Sequence, residues 1–326
     1  MSKSVDATTL KAMLNDGGEL ALLDVREEGQ FGIAHMLYAI PLPYSMLEMR
    51  LGILVPRRST RTVLIDSGNG VGSRAAARMA ALGYTDVAVL DGGMDTWGAA
   101  GYEVFKGVNV PCKAFGEVIE HAAHTPSISP EELHAMQAAE DKVVVLDGRT
   151  PAEFNRMSIP QGVSVPNAEL VYRVHDFVPD PDTTVVVNCA GRTRSIIGAQ
   201  TLINAGLPNR VVALRGGTMG WRLAGFQLDN GSERTYGALS DAARRTALDR
   251  AAHIQSHWGV RTVDRQTLET WRKDPARTTY LFDVRSEEEY TAGHMLGSVF
   301  APGGQLVQSS DQWCGTKGAR VVLLDE

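Results

Sequence analysis

Val145-Leu146-Asp147-Gly148-Arg149, followed by the acidic and aromatic step Glu153-Phe154, decides the fold, because the chain carries this pattern three times. Leu22-Leu23-Asp24-Val25-Arg26 precedes Glu27-Glu28 and Phe31, and Leu281-Phe282-Asp283-Val284-Arg285 precedes Glu287-Glu288-Glu289-Tyr290. Each is a short continuous apolar run ending on charged residues, as expected of a strand buried on both faces of a parallel sheet. Upstream of each stands a helix start: Val5-Asp6 with Leu10, Ile128-Ser129 with Leu133, and Val263-Asp264 with Leu268. Asp6, Ser129 and Asp264 are residue types whose side-chain oxygens accept the free amides of a first helical turn. Ser129-Pro130-Glu131-Glu132 has the complete capping-box form. A short strand is expected before each of the three helices. Downstream, turns at His35-Met36, Ser158-Ile159-Pro160 and His294-Met295 lead toward a further strand.

The first two copies then continue in step. Thr62-Val63-Leu64-Ile65 and Val185-Val186-Val187 read as strands, each followed by a loop and an alanine-containing helix. Val87-Ala88-Val89-Leu90 and Val211-Val212-Ala213-Leu214 are the last strands, and both copies close with paired glycines, Gly92-Gly93 to Trp97 and Gly216-Gly217 to Trp221. The glycine pairs are expected to serve a tight turn and core packing. Strands alternating with helices define an α/β unit of about 100–110 residues with a central parallel sheet covered by helices on both faces. The divisions are 1–103, a linker at 104–125, 126–230, a helical linker at 231–258 that is rich in alanine and arginine from 238 on, and 259–326. The third copy stops where the others enter their loop. A sheet cut there exposes apolar edges, and the expectation is that the chain is a fragment of a longer protein.

Composition narrows the function. Of 326 residues, 44% are hydrophobic and 21% charged, with a formal charge of -6. A globular protein fits these values, and neither nucleic acid nor an acidic membrane surface is expected as a partner, since both call for a basic face. No run approaches the roughly 18 apolar residues of a membrane span. The opening residues lead into a domain pattern without a signal peptide's apolar stretch, so a cytoplasmic location is expected. Three cysteines, Cys112, Cys189 and Cys314, are too few and too odd for a disulfide framework, and none stands at metal-ligand spacing.

Cys189 is the exception to a bland reading of these cysteines. Cys189-Ala190-Gly191-Arg192-Thr193-Arg194-Ser195 joins a buried-type strand to a helix, at the carboxyl end of a parallel sheet where ligands bind. Gly191 is expected to let the chain curl so that backbone amides point inward and form an anion nest at a helix N-terminus. Arg192 and Arg194 add positive charge. A thiol there is expected to ionise below the free value of about 8.5 and to act as a nucleophile. Four residues separate Cys189 from Arg194. In the cradles of protein tyrosine phosphatases the spacing is one residue longer, and here that position is Ser195, which cannot replace a guanidinium fork. The tighter loop suits a single sulfur atom better than a phosphate. A phosphatase or arsenate reductase remains the alternative enzyme, and a non-catalytic binding or scaffold protein the alternative of another class.

Asp147-Gly148-Arg149 with Glu153-Phe154, the 189–195 loop, and Gly216-Gly217 to Trp221 resemble, in that order, the rhodanese-like sulfurtransferases, and most closely their tandem multi-domain members. The resemblance implies a persulfide formed on Cys189 from a donor such as thiosulfate, then sulfur transfer to cyanide or a thiol, with a protein acceptor left open. It implies no metal and no organic cofactor. Copy one departs from the pattern: its loop, Asp66-Ser67-Gly68-Asn69-Gly70-Val71-Gly72, has neither thiol nor arginine, so copy one is expected to be silent. Asp325 holds the same register in copy three. Within copy two, Arg194 is expected to orient the loop and offer charge to the donor, and Arg192 to face solvent and meet the anion. Asp147 and Arg149 face the same rim in a supporting role. Cys112, Cys314, His35 and His294 are expected to be structural.

Overall fold

The computed structural model describes residues 3–325; residues 1, 2 and 326, at the outer ends of copies one and three, lie outside the described residues. The chain divides into two compact units, one formed by the residues up to Cys112 with those from Val263 onward, the other by Lys113–Thr262. In the first unit, copy one runs β1 (Lys3–Val5), α1 (Ala7–Asn15), β2 (Ala21–Asp24), α2 (Glu28–Ile33), β3 (Ile40–Pro41), α3 (Leu47–Leu54), β4 (Thr62–Ile65), α4 (Val71–Ala81), β5 (Val87–Leu90) and α5 (Gly93–Ala99). Its sheet is parallel throughout, ordered β1-β5-β4-β2-β3. β2 and β4 are buried at every position, which is why their sequences are apolar runs without alternation. Their side chains alternate between two cores, Leu23 and Leu64 facing one and Leu22 and Val63 the other. Next, α6 (Val110–Ala123) carries the chain into the second unit.

Copy two repeats the plan in the second unit: β6 (Ser127–Ile128), α7 (Pro130–Ala138), β7 (Val143–Asp147), α8 (Pro151–Arg156), β8 (Val163–Ser164), α9 (Leu170–Phe177), β9 (Thr184–Asn188), α10 (Thr193–Asn204), β10 (Val211–Leu214) and α11 (Gly217–Leu223). The strand order β6-β10-β9-β7-β8 matches that of copy one. The helix expected beyond 238 forms as α12 (Asp241–His257), started by the Ser240 hydroxyl, and it packs on α9. Copy three returns to the first unit as α13 (Arg265–Lys273), β11 (Thr279–Asp283), α14 (Glu287–Ala292), β12 (Val299–Phe300), α15 (Gly303–Gln308) and β13 (Arg320–Leu324), with sheet order β12-β11-β13.

The strand expected at Val263 does not form. β1 and β6 are strands because each pairs with the last strand of its own copy, β5 or β10. Among the described residues copy three has no such strand, so the residues before α13 have no ladder to join. Copy three instead leans on copy one. The Glu19 carboxylate accepts hydrogen bonds from Arg57 Nη2 (2.7 Å), the Thr278 amide (2.7 Å) and the Thr278 hydroxyl (2.8 Å). The buried Tyr280 hydroxyl donates to the Leu54 carbonyl, and Leu20 pairs with Lys317 across an isolated bridge.

The recurring Asp-x-Arg has the same task in all three copies. Asp24, Asp147 and Asp283 sit buried at strand ends, and Arg26, Arg149 and Arg285 curl back to grip them. Each arginine also reaches a carbonyl ahead of the next strand: Ala34 at 2.6 Å, Met157 at 2.7 Å and Gly293 at 2.9 Å. The pair therefore locks the turn that feeds β3, β8 or β12, whether or not its copy has a cysteine.

Candidate active site

The last residue of β9 is Asn188, so Cys189 opens the loop at the carboxyl end of a fully buried strand, and α10 begins four residues later at Thr193. Cys189 is only 2% exposed, yet its sulfur does not face the apolar interior. Sγ accepts a hydrogen bond from the Ser195 hydroxyl at 3.0 Å and from the Gly191 amide at 3.4 Å. Arg192, the residue before α10, makes no side-chain cap, so the positive end of that helix is left to the loop and whatever it holds.

Gly191 is not the residue that shapes the cradle. Its backbone is outside the left-handed region, and a Cβ there would meet nothing within 4 Å. The demand falls on Gly217 in the next loop. At φ +53°, its missing Cβ would lie 2.3 Å from the Cys189 carbonyl oxygen and 2.7 Å from that of Gly191. The α11 start then stitches the loop down: the Thr218 amide (2.8 Å) and hydroxyl (3.1 Å) donate to the Cys189 carbonyl, and the Met219 amide (3.1 Å) to that of Ala190. Asn188 ties this to the supporting pair, donating to Asp147 Oδ2 at 2.6 Å and to the Thr218 hydroxyl at 3.1 Å. Arg149, Asp147, Asn188 and Thr218 thus form a continuous buried chain ending on the Cys189 backbone.

Both loop arginines are already engaged. Arg194 grips Glu153 in a two-pronged pair, Nη1 to Oε2 at 2.8 Å and Nη2 to Oε1 at 2.7 Å. Its backbone carbonyl accepts from Asn167 Nδ2 at 2.9 Å. The side chain is 13% exposed, and its charge, expected to be offered to the donor, is matched by Glu153. Arg192 faces solvent as expected, 54% exposed, and there it is clamped by Glu117 at 3.1 Å and by Glu120, both on α6. The same helix abuts Thr193, whose Cγ2 would lie 2.7 Å from a Cβ at Gly116.

Burial works against an ionised Glu153, but the Arg194 guanidinium and the Thr150 hydroxyl and amide outweigh it and hold the carboxyl at about 2. A depressed value of this kind adds stability that is fully present above the ordinary carboxyl value of 4.5 and fades as pH falls toward 2. Wild type should therefore lose thermal stability progressively between those pH values. Glu153→Gln should already be about 1–2 kcal/mol less stable at pH 7, solvent screening of the half-exposed carboxylate being allowed for. That variant should lose less on acidification. Thermal unfolding midpoints measured across pH 2–7 check both statements.

Copy one shows what the same loop does without a thiol. The Asp66 carboxylate takes the place of Sγ, accepting from the Gly68 amide at 2.8 Å and the Gly72 amide at 2.9 Å. The cradle is filled by its own side chain. Position by position, Ile65, Asp66, Gly72 and Met94 stand where copy two has Asn188, Cys189, Ser195 and Thr218, and Gln30 with Val71 stands where it has Glu153 with Arg194. Asn188, Thr218 and Glu153 were not singled out from the sequence as site residues. The signal was available in this internal comparison, above all in an asparagine closing a strand after three valines.

The remaining cysteines, with His35 and His294, have settings of their own. Cys112 is buried in α6, and burial pushes the Cys314 thiol up to about 11. His35 stacks on Phe31 and His294 on Tyr290, each with Nδ1 against a turn carbonyl. Among the described residues no group of three or more His, Cys, Asp or Glu side chains could hold a metal, and no helix is long and apolar enough to cross a membrane.

A parallel sheet of this order, with a thiol-bearing loop between β9 and α10, defines a class of α/β domain built for cysteine chemistry. The rhodanese-like domain model matches residues 6–100 and 129–224, more than half of the chain, and the chain belongs to that family. A crystal structure of thiosulfate sulfurtransferase from Pseudomonas aeruginosa is 51% identical with a TM-score of 0.97, covering 99% of this chain. This chain spans 62% of that solved chain's length. A sulfurtransferase of Allochromatium vinosum is 32% identical over 101 residues, which is 31% of this chain and 92% of the relative.

Proposed function

We propose that the chain is a sulfurtransferase that carries sulfane sulfur on Cys189. The thiolate attacks the outer sulfur of a donor such as thiosulfate; the donor's S–S bond breaks, sulfite leaves with the electron pair, and a Cys189 persulfide remains. Cyanide or a thiol then attacks the terminal sulfur and returns the thiolate. The observation that carries this reading is the Cys189 sulfur held at the uncapped start of α10 by the Ser195 hydroxyl and the Gly191 amide. These donors suit an anionic sulfur at that point. Ala190, Arg192, Thr193 and Arg194 complete the loop, with Asp147 and Arg149 supporting it from β7. The names of the relatives, sulfurtransferase and thiosulfate sulfurtransferase, agree with it.

In this reading residues 126–230 are the catalytic domain. Residues 1–103 are a silent domain whose loop is occupied by Asp66, so the scaffold role applies to copy one and not to the whole chain. Among the described residues the three cysteines form no disulfide, which suits a reducing compartment, and a cytoplasmic location is part of the proposal. The test is to incubate the full chain with thiosulfate and follow its mass. A reducible gain of one sulfur atom, mapped to Cys189 and lost with thiocyanate release on adding cyanide, is the expected result. A gain on another residue, or none, would sink the assignment.

A further inference from the structure

The two loop arginines, Arg192 and Arg194, and the supporting Arg149 are each matched by carboxylate. Arg149 is paired with Asp147 and Arg194 with Glu153. Arg192 is paired twice, with Glu117 and Glu120. Three positive charges meet four negative ones, and the excess lies in the α6 clamp. That clamp is at the rim: Glu117 is 60% exposed and Arg192 54%, while the α6 backbone at Gly116 is close against Thr193 in the loop. A donor that approaches the loop past Arg192 therefore meets a net negative clamp, where a dianion is repelled more than a monoanion.

We propose that Glu117 and Glu120 are specificity-determining residues that tune this centre to sulfane-sulfur donors of single negative charge, thiosulfonates or organic persulfides, in preference to dianionic thiosulfate. They act through Arg192, by holding its guanidinium out of reach of the incoming anion, and they touch no reacting atom. The inference rests on the sulfurtransferase reading given above and names its donor class. With a thiosulfonate the step balances as follows. The Cys189 thiolate bonds to the terminal sulfur, the bond from that sulfur to the sulfonyl sulfur breaks, and a sulfinate leaves with the electron pair. Charge is conserved at each side, and cyanide discharges the persulfide as thiocyanate.

The experiment compares two probes, thiosulfate and methanethiosulfonate, with cyanide as acceptor, on the full chain and on its Glu117→Gln/Glu120→Gln variant. Freeing Arg192 should lower KM for thiosulfate by roughly three- to ten-fold, change KM for methanethiosulfonate by less than about two-fold, and leave kcat for both within about two-fold. Added salt should raise kcat/KM for thiosulfate in the wild type and lower it in the variant, because screening relieves repulsion in one and attraction in the other. Glu117→Asp/Glu120→Asp, which keeps the charges, should keep the wild-type preference, whereas a merely structural role for α6 would not distinguish the donors by charge. Equal changes for the two donors, or an unmoved ratio, would overturn the proposal. If Cys189 takes sulfur from neither probe, the reaction itself has been misassigned and this inference falls with it.

Discussion

Replacing Cys189 with serine should abolish sulfur transfer, by at least about 10³-fold in kcat/KM, while leaving the fold in place. The two halves of that expectation come from different parts of the structure. Serine's hydroxyl is too weak an acid and too poor a sulfur nucleophile to form the intermediate. It is also smaller than the thiol and polar, and its surroundings are the Ser195 hydroxyl and the Gly191 amide, which an oxygen can satisfy. The loss of stability should stay below about 1 kcal/mol, since no buried donor is left without an acceptor. Neither remaining cysteine is placed to take over. Burial pushes the Cys314 thiol up to about 11, leaving it protonated at neutral pH, and Cys112 is 6% exposed within α6. Thiocyanate production with thiosulfate and cyanide, beside a thermal melt of the same preparation, measures both halves. Residual turnover above one part in about a hundred would mean that a different nucleophile carries the sulfur.

What could be read from the sequence follows from the range of the interactions involved. The parallel sheets were legible because β2, β7, β9 and β11 are short buried strands whose apolar runs end on a local Asp-x-Arg or on a loop. The Asp147–Arg149 grip spans two residues, and its threefold recurrence marked it as structural. The cysteine loop was legible for the same reason, being a contiguous strand–loop–helix. Partners across the fold were not. Arg194 meets Glu153 41 residues away, and Arg192 meets Glu117 and Glu120 at separations of 75 and 72. A sequence gives the charge of an arginine but not which carboxylate folding will set against it. The expectation that the two loop arginines meet the incoming anion left these carboxylates out for that reason. Glu153 was doubly hidden, because its place in the capping box of α8 already accounted for an acid three residues after Thr150. The strand expected at Val263 failed for a related reason: a strand exists only with a partner, and the partner is not a local property.

The glycines give the sharpest contrast between local pattern and fold, and the second large effect is expected there. Gly217→Ala should cost at least about 10²-fold in kcat/KM and lower the unfolding temperature by several degrees. The alanine would have to adopt φ +53°, a strain of about 1–2 kcal/mol for an L-residue. Its Cβ would lie 2.3 Å from the Cys189 carbonyl oxygen, 2.7 Å from the Gly191 carbonyl oxygen and 2.9 Å from the Gly191 amide nitrogen. All three are backbone atoms that no rotamer change can move aside. The loop must shift, and with it the Gly191 amide that donates to Sγ and the Thr218 contacts that anchor the Cys189 carbonyl. Gly93→Ala is the matched control. It has the same left-handed backbone, at φ +68°, and would meet the Asp66 carbonyl oxygen at 2.4 Å, but it strains a loop without a thiol. Its stability loss should be similar and its turnover unchanged. Gly191→Ala, inside the catalytic loop itself, meets nothing within 4 Å and should be tolerated better than Gly217→Ala in stability and in rate. Steady-state kinetics and melts of the three variants test the order. If Gly191→Ala proved the more damaging, the cradle would be shaped by the curl of its own loop and not by the close approach of the glycine from α11.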